Sequence, residues 1–227
     1  MSAVERSIAT ERTVEVARGD RRAVAIVGTW RLTAGAVIAI ALVADALTVI
    51  SEGGFVFWDY FGYFSVQTMG LGAVVLLGMT GLTGRSRPAL VEHMRLAVTA
   101  YLLLSAAFYW ALIYPVQAAS SPWINIVMHG GASVVLLVDW LVEGPRRAPS
   151  RTALWTGMIY PIVWMVVFLV RGATDGWTPY EALDPVNGYA MVAVQLGGSF
   201  LAILIALVVL RNLTRWRWVD PEAAKRR

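Results

Sequence analysis

Apolar residues gather in six runs, at about 28–50, 60–82, 94–114, 122–142, 153–171 and 189–211, separated by short polar stretches that carry the charges and most of the prolines. Each run is close to the ~20 residues a helix needs to cross the hydrocarbon core of a bilayer. Within the runs polar and apolar residues do not alternate, so the strands of a barrel are not indicated. Backbone groups in lipid have no water to bond, which leaves the helix as the available form. The pattern predicts an all-α polytopic membrane protein, a six-transmembrane-helix bundle over 28–211. Residues 1–27 form an N-terminal segment and 212–227 a tail.

Charge gives the runs a direction. Of 19 Lys and Arg residues, 18 fall on the N-terminal flank, the second and fourth connections and the tail; the other three connections hold only Arg171. Short loops rich in Arg and Lys stay in the cytoplasm. Both termini are therefore expected there, in a plasma membrane. The outer loops are 51–59, 116–121 and 172–188, with Glu52, Asp59, Asp175, Glu181 and Asp184 on them. Trp58, Trp123 and Trp177 mark the outer boundary, and Trp30, Trp140, Trp216 and Trp218 the inner one.

Composition narrows the function. The chain is 58% hydrophobic and 15% charged, with a net charge of +4 and a pI near 9.7. Topology and anionic lipids account for the basic residues, and no recognition helix or stacking motif points to nucleic acid. Membrane lipids are the expected partners. Cysteine is absent, which removes disulfides and thiol catalysis. His93 and His129 lie on different sides of the predicted bundle, so no metal site is expected, and no cofactor motif is present. The glycines Gly70, Gly72, Gly78 and Gly81 sit in an apolar helix and form no phosphate loop. The first run is too long for a cleavable signal peptide. Arg outnumbers Lys 18 to 1, a bias that suggests a GC-rich bacterial genome.

Orientation then serves as a depth gauge. Ser65 lies about two turns into the second run, His129 about two turns into the fourth, and Asp45 one to two turns from the outer end of the first. At a rise of 1.5 Å per residue, the three lie within roughly 10 Å of one depth. Ionisable groups inside spans are costly and are functional candidates by default. A hydroxyl, an imidazole and a polar orienting group are the parts of nucleophilic acyl transfer. Asn125, four residues before His129 on the same helix face, is one orienter and Asp45 the other. Gln67 or Thr68 can supply an oxyanion donor only where the helix is broken. The competing reading of Ser65 is a packing residue, and that of His129 a hydrogen bond between helices. Asp139, at the other end of the fourth run, reads as a boundary residue or a partner of Arg146 or Arg147.

Tyr63-Phe64-Ser65-Val66-Gln67-Thr68 resembles a second-span motif of Tyr-Phe-Thr-x-Gln-Ser type. Asn125-x-x-x-His129 with Asp139-Trp140-Leu141 and Pro145-Arg146 resembles the fourth span and its exit. Tyr160-Pro161, Arg171-Gly172, Gly176-Trp177-Thr178-Pro179-Tyr180 and Leu183-Asp184-Pro185 resemble the fifth span and its outer loop. Together they are similar to the bacterial branch of the androgen-induced-protein-like family of six-span membrane proteins, over about 28–211. Animal members hydrolyse fatty-acid esters of hydroxy fatty acids with a Thr nucleophile and a His. The resemblance implies Ser65 and His129 in those roles. Ser65 replaces the usual Thr, Met69 stands where relatives carry Asn, and Ser133 replaces a Pro, which predicts an unkinked helix after His129. The expected function is hydrolysis of a lipid ester; the alternatives are a non-enzymatic lipid-binding or assembly protein and, with few charges along a path, a small-solute transporter.

Overall fold

The computed structural model describes residues 3–85, 87–114, 121–145 and 149–213, with side chains described from Arg21 onward. All described elements are helical. In chain order they are α1 (Ala3–Ser51), α2 (Phe57–Tyr60), α3 (Phe64–Thr80), α4 (Ala89–Phe108), α5 (Pro122–Ile126), α6 (Ala132–Val142), α7 (Thr152–Thr174) and α8 (Tyr189–Asn212). A π-helical turn, Tyr109–Ile113, continues α4, and a second, Val127–Gly131, joins α5 to α6. Five helical stretches are long and apolar enough to cross a membrane: Arg21–Ser51, Ala89–Ile113, Pro122–Val142, Thr152–Thr174 and Tyr189–Asn212. The protein is thus an all-α polytopic membrane protein. α3 is a shorter apolar helix of 17 residues, at the lower end of the length that spans a bilayer.

α4 is the centre of the bundle and packs on α3, α6, α7 and α8. Over half of its apolar window, 56%, is buried, against 17% for α1 and α8. Leu96, Ala100, Leu102, Met69, Leu76 and Leu136 form the core where α3, α4 and α6 meet. The outward faces are equally apolar. Ile40, Val43 and Leu47 on α1, Val163 and Val166 on α7, and Val194 and Leu201 on α8 are all about half exposed or more. Such contiguous apolar surface is a liability in water; in lipid it is the solvated face.

The second apolar run is not one helix. It divides into α2, a turn at 61–63 and α3. Gly62 explains the division: a Cβ there would lie 2.5 Å from the Trp177 ring and 2.8 Å from the Trp58 carbonyl oxygen. The Gln67 amide then secures the turn, donating to the Phe61 carbonyl at 2.6 Å. Ser65 consequently stands in the first turn of α3, not two turns along a helix.

Arg31, Arg87 and Arg95, which the sequence suggests are flanking cations, are buried. Arg31 is 0% and Arg95 1% exposed. Asp139 pairs with both through separate oxygens, Oδ1 to Arg31 Nε at 2.5 Å and Oδ2 to Arg95 Nη2 at 2.6 Å. Its expected partners Arg146 and Arg147 lie outside the described residues. Glu143 accepts from Arg31 Nη1 at 2.5 Å and pairs with Arg87 at 2.9 Å; Glu92 bridges Arg87 and Arg95. Three guanidinium groups thus face three carboxylates. A buried ion requires such pairing, because removing it from water costs several kcal/mol. The cluster ties α1, α4 and α6 to the turn after α3. Gly84 sits in that turn at φ +72°, a conformation that favours glycine, and donates its N–H to Glu143.

Candidate functional site

The site lies at the opposite end of α3 from this cluster. Ser65 is the second residue of α3, where the first backbone N–H groups have no partner within the helix and the helix dipole favours negative charge. Here the partner comes from the loop before α8. The Tyr180 hydroxyl accepts from the Ser65 N–H at 3.3 Å and lies 3.4 Å from Ser65 Oγ. Burial pushes the Tyr180 phenol pKa up, so the hydroxyl keeps its proton at neutral pH.

His129 stands in the middle of the Val127–Gly131 π turn, a type of helix irregularity frequent at functional sites. Its ring stacks on Tyr109, centroids 3.8 Å apart and planes at 4°. Tyr109 itself begins the other π turn, so the two irregularities face each other. The helix here is continuous in αR conformation but passes through the π turn at 127–131, which the sequence does not announce. Gly130 and Gly131 offer little side-chain resistance to the wider turn. Trp110 Nε1 donates to the His129 carbonyl at 2.7 Å, and Ser133 Oγ to that of Gly130 at 2.7 Å.

Ser65 and His129 line the same two cavities. One, of about 70 Å³, is apolar and runs between Phe64, Leu104, Phe108, Phe200 and Ile203. A groove of about 400 Å³ between α4 and α8 shares Leu104, Phe108 and Ser199 with it. The other cavity, of about 860 Å³, is half polar and lies under the 177–187 loop, with Asp45, Tyr60, Tyr109 and Glu181 on its walls. No direct hydrogen bond joins Ser65 to His129 among the described residues, and His129 Nδ1 is buried without a partner.

The three supporting residues have other partners than the sequence predicts. Asn125 does not orient His129 directly. No hydrogen bond joins the two side chains among the described residues; the Asn125 side chain lies beside the Tyr109 hydroxyl, whose ring stacks on His129. Asp45 faces the wide cavity, but its carboxylate accepts from the Tyr60 hydroxyl at 2.8 Å. Gln67 has both ends of its amide engaged, the nitrogen on Phe61 and the oxygen accepting from the Tyr160 hydroxyl at 2.7 Å. It holds the turn before α3, and the second N–H of its amide takes no part in these bonds.

The loop over the wide cavity is anchored by Arg171. Its guanidinium donates to Asp59 at 2.7 Å, to Asp175 at 2.8 Å and to the Trp58 carbonyl at 3.0 Å, and lies 4.3 Å from the Trp177 ring centroid. Tyr180 and Tyr109, central to the geometry, are not among the candidates that depth alone selects. The string Gly176-Trp177-Thr178-Pro179-Tyr180 is the sequence signal that lay nearest to one of them. Among the described residues no group of three or more His, Cys, Asp or Glu side chains is arranged to hold a metal ion. No protein-family model, curated protein or solved structure matches the chain.

Proposed function

We propose that this integral membrane protein is a hydrolase of lipid esters, with Ser65 as nucleophile and His129 as general base and acid. The supporting observation is that both side chains line one pair of cavities, apolar on one side and half polar on the other. The acyl chain lies along the Phe64–Phe108–Phe200 pocket and the α4–α8 groove, and the alcohol portion projects into the wide cavity. Under this reading α3 crosses the bilayer as the sixth span, both termini face the cytoplasm and the membrane is a bacterial plasma membrane. The similarity to the androgen-induced-protein-like family is part of the same proposal.

The chemistry follows from the two groups. Ser65 Oγ attacks the ester carbonyl carbon as its proton passes to His129, and the carbonyl π electrons move onto oxygen. When the carbonyl re-forms, the C–O bond to the alcohol breaks and the leaving oxygen takes the proton from His129. Water then attacks the acyl-Ser65 by the same route and releases the acid. Binding of the ester brings Ser65 and His129 into contact, since catalytic hydrogen bonds are often long in an empty site.

The test is turnover of a panel of long-chain esters by purified protein in lipid nanodiscs. Ser65→Ala and His129→Ala are each expected to lower kcat by at least about 10³-fold. Equal turnover by all three proteins excludes the dyad. The absence of a direct Ser65–His129 bond favours a second reading, a protein that binds a lipid in these cavities without cleaving it; stoichiometric lipid retention without turnover is its signature.

A further inference from the structure

We propose that Tyr180 is a third catalytic residue of this site, its hydroxyl donating the hydrogen bond that holds the oxyanion formed when Ser65 attacks. The role rests on the Ser65 reading above and adds to it the donor that the sequence leaves unassigned. Three observations carry it. First, the hydroxyl lies 3.4 Å from Ser65 Oγ. In the tetrahedral adduct Oγ and the oxyanion are bonded to one carbon, so a donor beside Oγ can come within hydrogen-bond reach of the oxyanion, as such stabilisation requires. Second, the hydroxyl accepts the Ser65 N–H at 3.3 Å. That bond uses a lone pair, so the proton remains for Ser65 Oγ or for a group in the cavities, both of which Tyr180 lines. Third, the ring is fixed before substrate arrives. It packs edge-on against Tyr63 at 5.5 Å and Phe108 at 5.6 Å, and tilted against Trp164 at 6.3 Å. A donor held in place needs no reorganisation during the reaction.

The other candidate donors nearby each already make a hydrogen bond. Gln67 is bonded at both ends, and Thr68 Oγ1 donates to the Ser65 carbonyl at 3.1 Å. Tyr180 is also the element of the site contributed by the outer loop. The loop that covers the wide cavity would therefore complete the chemistry as well as shield it.

A matched pair of substrates tests this, a long-chain oxoester and the thionoester with the same acyl chain and alcohol. Sulfur accepts hydrogen bonds poorly, so an oxyanion donor accelerates the oxoester more than the thionoester. Tyr180→Phe is expected to lower kcat for the oxoester by about 10²-fold, with little change in KM and a much smaller effect on the thionoester. The oxo-to-thiono ratio then falls by nearly the same factor. The ratio is a property of each folded molecule, so partial loss of protein leaves it readable. An equal fall for both substrates, or a wild-type ratio in Tyr180→Phe, overturns the assignment to Tyr180 while Ser65-dependent turnover stands. Turnover that survives in Ser65→Ala, or is absent from the wild type with both substrates, overturns the Ser65 reading and this one with it.

Discussion

The imidazole of His129 lies flat on the phenol ring of Tyr109, with centroids 3.8 Å apart and planes 4° from parallel. Each ring belongs to a π-helical turn, and the Asn125 side chain lies beside the Tyr109 hydroxyl from the turn preceding His129. Asn125, Tyr109 and His129 stand in sequence, the amide beside the phenol and the phenol stacked on the imidazole. Tyr109 is thus a positioning residue for the base. An aromatic pair contributes about 0.5–1.5 kcal/mol beyond its buried area, and 1.4 kcal/mol is about tenfold in rate.

Tyr109→Leu is accordingly expected to lower kcat by about tenfold, and Asn125→Ala by less. Because the two act through one ring, the double variant is expected to match Tyr109→Leu alone rather than the product of the two effects. A double-mutant cycle on kcat measures this. Multiplicative effects would show that Asn125 and Tyr109 act independently.

At the other end of the bundle, Asp139→Asn leaves Arg31 and Arg95 facing a neutral amide with both side chains still buried. Breaking a buried pair in this way costs about 3–5 kcal/mol. Unfolding in mixed micelles is expected to show a loss of this size. Glu52→Gln, on an exposed residue, is expected to change little.

Gly62→Ala tests the origin of the break before α3. The added Cβ meets the Trp177 ring and the Trp58 carbonyl, so the loop must move away from the start of α3. Turnover is expected to fall by at least tenfold, on the order of the cost of a misplaced catalytic group. Global stability is expected to hold, since the change lies outside the α3–α4–α6 core. Gly54→Ala, where a Cβ meets nothing within 4 Å, is the control.

The loop anchor has a predictable response to acid. Hydrogen bonding to Arg171 lowers the Asp175 pKa below its ordinary 3.8. A carboxylate with a depressed pKa keeps its stabilising contact above the ordinary value and loses it as pH falls through the lowered one. The Trp177 contribution to fluorescence, taken as wild type minus Trp177→Phe, is expected to stay constant from neutral pH to about 5 and to change only below that. Asp175→Asn is expected to shift the signal near neutral pH and to converge on the wild type once pH falls through the lowered pKa.

Hydropathy made the apolar helices legible, because it depends only on the solvent each segment meets. It did not reveal the break at Gly62, which the loop imposes from 115 residues further along through Trp177. Depth reckoning placed Ser65, His129 and Asp45 at one level, and all three do line the wide cavity. Depth says nothing about rotation around a helix axis, however, and the Asn125 side chain lies beside Tyr109 rather than bonded to His129. Arg31 and Arg95 could be read as flank cations because a solvated and a buried arginine look alike in a sequence. Only the approach of Asp139, over a separation of 108 residues for Arg31, distinguishes them.

The most direct measurement is covalent trapping of the nucleophile. Purified protein in nanodiscs is treated with a long-chain alkyl fluorophosphonate, and the modified residue is located by mass spectrometry. A single adduct on Ser65, slowed at least about 10²-fold by His129→Ala and absent in Ser65→Ala, is the predicted result. An adduct elsewhere, or labelling of Ser65 at the same rate without His129, would contradict it.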